Sequence, residues 1–292
     1  MKADIVFQGG GVKAIGFVGA VCRLEEMGYK FERFAGSSAG AMVAAMLAAG
    51  YSGSELKDII MKLNYSSLLD GNKHKLFSKS GKIFNLLINK GMYSGKAIES
   101  FVHEKLKKKN VVRFKDVSYN GKSKLKIIAS DVTMKRLLIL PDDIKYYGMD
   151  PMELEISKAV RMSISIPFYF APVILKHGDC SSFIVDGGVI SNYPIWVFDV
   201  SGGVSHTTFG LKFDDYSKKC SDNKNSNLFS YLIDLSECII ETYDEEYLVN
   251  KNMTKTLTIP TLGVKTTDFD ISHKKCMQLF NAGYLVPNKL IL

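Results

Sequence analysis

The sequence of 292 residues lacks the features that mark membrane-spanning, disulfide-rich and zinc-binding proteins. Its longest strongly apolar stretch, residues 41–49, is about half as long as a bilayer span requires. The cysteines are scattered and form no Cys-x-x-Cys pair, which argues against a disulfide framework and a structural zinc site. They are Cys22, Cys180, Cys220, Cys238 and Cys276. The first residues show no signal-peptide core or cleavage site, so we expect a reduced, cytoplasmic protein without metal or cofactor.

Acidic residues are missing from residues 71–98, in a chain whose 38 basic and 30 acidic residues give a net charge of +8. Lysines alternate there with large apolar side chains, a pairing typical of segments that bind anionic lipid. The lysines are Lys73, Lys75, Lys79, Lys82, Lys90 and Lys96. We expect residues 64–96 to form a cap that contacts an anionic membrane surface peripherally; a solvated basic face or a cap packed on the body are the alternatives. No nucleic-acid-binding motif is present, so nucleic acid is not an expected partner.

Strand and helix signals alternate from the start of the chain. A buried strand at 4–8 precedes a helical pattern over 12–27, and a strand at 31–35 precedes a small-residue helix at 41–49. Ser52 and Glu55 form a capping-box pattern that predicts a helix through residue 63. This order predicts an α/β fold with a mainly parallel sheet and helices on its faces. We expect a single domain over residues 1–292, with a loop at 217–227. Further expected elements are strands at 125–130, 136–140, 183–185, 208–213 and 256–259, and helices at 95–108, 153–163, 228–249 and 272–283.

Three glycine-bearing turns follow predicted strands. They are Gly9-Gly10-Gly11-Val12-Lys13, Gly36-Ser37-Ser38-Ala39-Gly40 and Asp186-Gly187-Gly188. The second fits G-x-S-x-G, the nucleophile elbow that exposes Ser38 at the carboxyl end of a strand. The first offers backbone N–H groups to an anion, and the third supplies the carboxylate of Asp186. Because the carboxyl ends of strands in a parallel sheet share one crevice, the three turns together predict acyl-transfer chemistry.

Other interpretations of the same turns remain open from the residues alone. Each glycine turn also occurs in proteins where it does no chemistry. Gly9-x-Gly11-x-x-Ala14 with Glu32 fits a dinucleotide-binding fingerprint, which would make the chain a nucleotide-binding or anionic-partner-binding protein. A Ser-His-Asp esterase would draw on a late histidine, His206 or His273. The remaining histidines are His74, His103 and His177.

The three ordered motifs make the sequence resemble the patatin-like phospholipase family over about residues 5–194. The segment Ala159-Val160-Arg161-Met162-Ser163-Ile164-Ser165-Ile166-Pro167 and the following Phe170-x-Pro172 extend the resemblance. Ala14 departs from the family pattern, which usually has glycine there. The resemblance implies a patatin-like three-layer α/β/α fold and a lipid acyl hydrolase that acts on glycerophospholipids or other acyl esters, of the phospholipase A or lysophospholipase type.

The resemblance also implies a Ser-Asp dyad without histidine. Ser38 would be the nucleophile, Asp186 the general base, and Gly10, Gly11 and Val12 the oxyanion donors. An ordinary aspartate, with a pKa of about 3.9, is a poor base toward serine. We therefore expect partial desolvation of Asp186, a short hydrogen bond between Ser38 and Asp186, and strong stabilisation of the oxyanion. The apolar stretch 164–173 is expected to line an acyl pocket, with ordinary core packing as the alternative.

Overall fold

The structure is a computed structural model that describes residues 1–70, 79–198, 206–214 and 254–290, together with isolated positions between 231 and 238. Side chains of residues 79–83 are outside this description. The predicted loop 217–227 lies outside the described residues, as do His74, Cys220 and nearly all of the predicted helix 228–249.

The centre of the fold is an eight-stranded sheet in the order β12-β11-β1-β2-β6-β10-β9, with β7 paired to β6 beside this path. All neighbours from β12 to β6 are parallel, whereas β10, β9 and β7 pair antiparallel. The strands of this sheet are β1 (Lys2–Phe7), β2 (Lys30–Ser37), β6 (Leu125–Asp131), β7 (Arg136–Leu140), β9 (Val173–His177), β10 (Cys180–Asp186), β11 (Thr207–Asp214) and β12 (Thr254–Pro260). Two small sheets pair β3 (Gly91–Tyr93) with β8 (Phe168–Phe170), and β4 (Ser118–Tyr119) with β5 (Lys122–Ser123). The prediction of an α/β fold with a mainly parallel sheet is confirmed.

Strand β6 brings two other strands together end to end. Its first half pairs with β2 and its second half with β10, while β7 occupies the opposite edge along both halves. β2 runs parallel to β6 and β10 runs antiparallel, so their carboxyl ends face each other along one edge. Ser37 lies opposite Ile128, and Asp186 lies opposite the next residue of β6, Ala129. The expectation that all three turns lie at carboxyl ends of parallel strands is wrong for Asp186, since β10 reaches the same place from the other direction.

The helices follow the predicted order with small shifts at their ends, except for the fourth, which lies in the basic segment where the sequence predicts a cap without a defined helix. They are α1 (Ile15–Glu26), α2 (Ser38–Ala48), α3 (Gly53–Lys62), α4 (Lys79–Asn89), α5 (Lys96–Lys108), α6 (Ile156–Ser163) and α7 (His273–Leu285). The capping box at the start of α3 is confirmed, because Glu55 N–H donates to Ser52 Oγ and Ser52 N–H donates to the Glu55 carboxylate. A 3-10 turn, Gly11–Ala14, precedes α1 where the sequence predicts continuous helix.

Alternate residues of the central strands serve opposite faces of the sheet, as the pleat requires. Ile5 and Phe7 belong to the large core that β1 shares with the helices, whereas Val6 and Ile128 pack on the other face against residues 193–198. Central strands buried on both faces explain the near-continuous apolar run at the start of the chain.

The expected cap contains α4 and β3, and the latter pairs with β8. Residues 71–78 of that segment lie outside the described residues. No helix of the described residues has both the length and the apolar character needed to cross a membrane.

Candidate active site

Ser38 stands at the sharp turn between β2 and α2. Its φ of 52° lies in the left-handed region, which a serine adopts only at an energetic cost. Glycines on either side allow the chain to turn this tightly. A Cβ atom on Gly40 would come within 2.5 Å of the carbonyl oxygen of Gln8, and one on Gly36 within 2.5 Å of Gly40. The elbow geometry that the G-x-S-x-G pattern predicts is therefore present at Ser38.

A second serine supports the strained turn. The backbone N–H of Ser38 donates to Ser163 Oγ at 2.8 Å, and this hydroxyl in turn donates to the carbonyl oxygen of Ile128 at 2.5 Å. Ser163 is the last residue of α6 and is fully buried. The hydrogen bonds tie the elbow to α6 and to β6, which fixes the position from which the Ser38 hydroxyl projects.

Asp186 is the last residue of β10 and has no solvent exposure. Its N–H donates to the carbonyl oxygen of Ser165 at 2.9 Å. One carboxylate oxygen, Oδ1, accepts from the N–H of Gly188 at 2.8 Å. The other, Oδ2, is buried without a hydrogen-bond partner among the described residues. The carboxylate thus keeps one acceptor oxygen available inside the protein.

Ser38 and Asp186 form a pair across the gap between the ends of β2 and β10. Burial raises the pKa of Asp186 to about 7, while the Ser38 hydroxyl and the N–H of Gly188 act in the opposite direction. A carboxyl group with a pKa near neutrality is a much better base than an ordinary aspartate. Asp186 is buried, in agreement with the expected desolvation, but the expected short hydrogen bond between Ser38 and Asp186 is absent, since Oδ2 has no partner among the described residues.

The glycine turn after β1 passes beside the elbow. The N–H groups of Gly10 and Gly11 make no hydrogen bond within the described part of the chain, so both can donate to an oxyanion. Val12 differs, because its N–H already donates to the carbonyl oxygen of Thr266 at 3.2 Å. Gly11 has a φ of 55°, and a Cβ atom there would lie 2.0 Å from the same carbonyl oxygen. Two of the expected donors are free in this structure, and the third is occupied.

Further residues of the motifs and their neighbours fix the positions of the three turns relative to one another. Gly9 N–H donates to the carbonyl oxygen of Asn192 at 2.9 Å, and Ser37 Oγ donates to that of Ser191 at 3.0 Å. Gly187 lies against β6, where its carbonyl oxygen accepts from Ser130 Oγ at 3.2 Å. The buried ammonium group of Lys13 lies 5.2 Å from the centre of the Phe213 ring. The loop that follows Asp186 therefore binds both other turns.

A small apolar cavity of about 50 Å³ opens beside Ser38. It is lined by Gly11, Val12, Ser38, Ala39, Met42, Tyr65, Leu68, Ile98, Ile164, Ile166, Phe170 and Phe269. A neighbouring cavity of about 40 Å³ between α1, α2 and α3 shares Met42 and Tyr65 with it. Since three residues of the stretch 164–173 line the first cavity, that stretch borders Ser38.

The dinucleotide interpretation does not fit the structure. Glu32 is the third residue of β2 and forms a surface salt bridge with Lys2 at 3.0 Å. It therefore lies at the amino end of its strand, whereas the glycine turn follows the carboxyl end of the parallel strand β1. A carboxylate that binds a ribose must reach the same end of the sheet as the glycine turn.

Among the described residues, no histidine lines the cavity at Ser38 or hydrogen-bonds to Ser38 or Asp186. His177 pairs with Ser182 Oγ at 3.1 Å, and His103 lies 3.7 Å from the carboxylate of Glu155. His206 immediately precedes the amino end of β11, and His273 is the first residue of α7. The described residues therefore offer no histidine for a triad.

Sequence reasoning missed three residues of the site. Ser163 and Ser165 hold the backbone of Ser38 and Asp186, and Asn192 is a buried side chain whose Oδ1 has no hydrogen-bond partner among the described residues. That oxygen lies beside Gly9, 2.2 Å from where a Cβ atom would stand. The alternating serines before Pro167 are the sequence signal that could have identified Ser163 and Ser165. The apolar residues around Asn192 contain no signal for its role.

Comparison with known sequences places these motifs in a family. The sequence matches the family described as patatin-like phospholipase over residues 5–199. It is 34% identical over 283 residues to the uncharacterized protein YqhO of Bacillus subtilis (strain 168), covering 97% of this chain and 96% of that protein. It is also 29% identical over 194 residues to "Probable lipid hydrolase 463L" of Invertebrate iridescent virus 6, covering 65% of this chain and 61% of the viral protein.

Solved structures show the same fold at low sequence identity. VipD from Legionella pneumophila aligns with a TM-score of 0.57 at 16% identity, covering 99% of this chain and 66% of VipD. ExoU, in the ExoU–SpcU complex of Pseudomonas aeruginosa, aligns with a TM-score of 0.52 at 19% identity, covering 100% of this chain and 51% of that chain. These likenesses confirm the three-layer α/β/α class. Because the family match spans well over half of the sequence, the chain belongs to the patatin-like phospholipase family.

Proposed function

We propose that this protein hydrolyses carboxylic esters of membrane glycerolipids through a Ser38–Asp186 dyad, as a phospholipase A or lysophospholipase. The observation that carries the proposal is a serine in a strained elbow beside a fully buried carboxyl group with one unpartnered oxygen. Family membership and the name of the viral relative support a lipid as the substrate.

The geometry suits a two-step acyl transfer. Asp186 accepts the proton of the Ser38 hydroxyl while Ser38 Oγ attacks the ester carbonyl carbon. The N–H groups of Gly10 and Gly11 stabilise the oxyanion, and one such donor is typically worth about 3–4 kcal/mol. Asp186 then returns the proton to the departing lysolipid or alcohol, which leaves an acyl-serine. Water, deprotonated by Asp186, attacks this ester, and Asp186 returns that proton to Ser38 Oγ as the fatty acid departs.

The surroundings of Ser38 fit an ester with an apolar acyl part. Met42, Ile166 and Phe170 present carbon atoms to the small cavity beside the hydroxyl. An apolar lining with few polar groups is typical of pockets that hold hydrocarbon. The acyl chain therefore enters toward α2, and the polar part of the lipid stays on the open side of the elbow.

The proposal includes peripheral contact with an anionic membrane through the cap, residues 64–96. Part of this segment lies outside the described residues, including the side chains of Lys73, Lys75, Lys79 and Lys82. The described part contributes exposed Lys90 and Lys96 and exposed apolar side chains on α4.

The test is hydrolysis of mixed phospholipid and lysophospholipid vesicles, followed by mass spectrometry of the released fatty acids and lysolipids. The wild type should release both products, and Ser38→Ala should release neither. Ser100→Ala serves as the matched control, because Ser100 is an exposed serine on α5. Lipid hydrolysis that persists in folded Ser38→Ala, or none by a folded wild type on any glycerolipid, would overturn the proposal.

A further inference from the structure

A second, larger cavity lies apart from Ser38. It has a volume of about 470 Å³ and lies between α4, β3, the start of α5 and β9. None of its lining residues borders the cavity at the nucleophile. Its lining contains the cations Lys90, Lys96 and Arg161 and one acid, Glu99. The cavity therefore carries an excess of positive charge that the dyad does not use.

Arg161 gives this cavity a buried cation. It is only 4% exposed, and it makes no salt bridge with any described residue. Its guanidinium donates to neutral oxygens alone, namely the carbonyls of Ser94 and Ala171 and the hydroxyl of Ser165. These bonds use three of the five N–H groups of an arginine.

The charge on Arg161 is compensated only from a distance. Burial lowers the pKa of Arg161, and the charges of Glu99 and Asp70 counteract this. The Asp70 carboxylate is already engaged by the start of α5, where it accepts from the N–H groups of Gly95 at 2.8 Å and Ala97 at 3.2 Å. A buried cation without a contacting anion is a costly arrangement that a bound anion would relieve.

Exposed apolar side chains lie next to the cavity, and two of them, Ile88 and Ile174, line it. Phe84, Leu87 and Ile88 have the spacing that places side chains on one face of α4, and they are 63%, 77% and 56% exposed. Ile174 of β9, which is 55% exposed, lines the cavity together with Ile88. Large apolar side chains beside lysines are the combination that enters the headgroup region of a membrane. A soluble anion would not need such apolar side chains.

We propose that this cavity binds the phosphate group of an anionic phospholipid that remains in the membrane, at a site separate from the dyad. Arg161, Lys90 and Lys96 supply the positive charge, and the exposed face of α4 enters the lipid around the bound headgroup. The lipid in this site is a membrane ligand, not the hydrolysed substrate, and the inference holds whether or not Ser38 is the nucleophile.

Vesicle binding by Ser38→Ala protein tests the site without hydrolysis. Sedimentation is measured with phosphatidylglycerol vesicles and with phosphatidylcholine vesicles. We expect preference for phosphatidylglycerol, and a loss of at least about tenfold in that binding when Lys90→Glu and Lys96→Glu are combined, since each basic residue near an anionic surface contributes about fivefold. The charge-matched control combines Lys30→Glu and Lys255→Glu, two exposed lysines at the amino ends of β2 and β12.

Two further measurements keep the outcome specific. Arg161→Lys keeps the charge but not the guanidinium, and a folded variant should also lose preference for phosphatidylglycerol. Soluble glycerol phosphate should bind far more weakly than vesicles and should not displace them. If both double variants lose vesicle binding to the same extent, binding depends on diffuse surface charge, and the proposed site is wrong. Tight binding of glycerol phosphate would mean that the cavity binds a soluble phosphate rather than a membrane lipid, which would also contradict the proposal.

Discussion

The cavity at Ser38 and the cavity that contains Arg161 have contrasting surroundings. At Ser38 the polar groups are buried, the backbone is held by hydrogen bonds from α6, and the adjacent space is small and apolar. Between α4 and β9 the space is almost ten times larger, and its lining includes the cations Lys90, Lys96 and Arg161. The first arrangement suits the proposed reaction, and the second has room for the proposed lipid headgroup.

A short path connects these unlike regions. Ser165 accepts a hydrogen bond from Arg161 at its hydroxyl and one from the N–H of Asp186 at its carbonyl oxygen. Ser163, two residues earlier, holds Ser38. The end of α6 thus holds the backbone of Ser38 and Asp186 on one side and borders the cationic cavity through Arg161 on the other. We therefore expect mutations to separate the proposed reaction from the proposed membrane binding, although one helix contributes residues to both regions.

Loss of either dyad residue should have the largest effect, and it should not depend on the form of the substrate. We expect Ser38→Ala or Asp186→Asn to reduce hydrolysis of both a soluble ester and vesicles by roughly 10⁴-fold, as removal of a nucleophile or its partner does in other hydrolases. Initial rates on both substrates measure this. A variant that loses activity only on vesicles would contradict the assignment of that residue to the reaction.

Replacement of Asp186 should also change how stability depends on pH. The folded carboxyl has a pKa of about 7, whereas the unfolded one has a pKa of about 3.9. Between these values the folded protein binds more protons, so its unfolding free energy falls as pH rises and levels off above about 7.

Asp186→Asn removes this dependence and should stabilise the fold at pH 8 by about 1.4 kcal/mol for each unit of pKa difference. Urea unfolding at pH 5 and pH 8 measures the effect. Parallel pH curves for the wild type and the variant would show that the carboxyl is not desolvated in the folded state.

Ser163→Ala should distinguish support of the Ser38 backbone from direct participation in the reaction. The variant leaves the N–H of Ser38 without its acceptor, a loss of about 1–3 kcal/mol that corresponds to a decrease of roughly 5- to 150-fold in kcat. KM should change little, because Ser163 does not line the cavity. Ser163→Thr, which keeps the hydroxyl, should restore part of the rate. If Ser163→Ala lowers thermal stability as well as kcat, and Ser163→Thr restores neither, then Ser163 has only a packing role.

The smallest effect should come from the exposed face of α4. Leu87→Ser removes an apolar side chain that enters the lipid, and we expect a roughly fivefold loss of vesicle binding that added salt does not alter. Activity on a soluble ester should stay at the wild-type level. Equal losses on both substrates would mean that Leu87 supports the fold rather than the membrane contact.

Much of this arrangement follows from local sequence signals. The elbow at Ser38 is predictable because glycines at 36 and 40 permit a close approach that other residues forbid. Asp186 is predictable as the end of an apolar strand. The direction of β10 is not, since alternating side chains look the same in parallel and antiparallel strands.

Long-range contacts set the rest of the site. The occupied N–H of Val12 depends on Thr266, which lies far away in the sequence. The support from Ser163 depends on how α6 packs against β6. The basic segment 71–98 suggests lipid contact, but the cavity behind it needs Arg161 and Ile174 from later elements. Local patterns therefore locate the reactive residues, and tertiary packing decides how they are held.

The most direct test of the central claim is the pH dependence of covalent labelling of Ser38 by a fluorophosphonate. Peptide mass spectrometry identifies the labelled residue, and the labelling rate follows the activation of Ser38 without any lipid. The account predicts labelling at Ser38 in the wild type, with a rate that rises through an inflection near pH 7, because only the ionised Asp186 accepts the proton. Asp186→Asn should be labelled at least about 100-fold more slowly, with no inflection there. Labelling of Asp186→Asn at the wild-type rate, or of another serine in the wild type, would contradict the account.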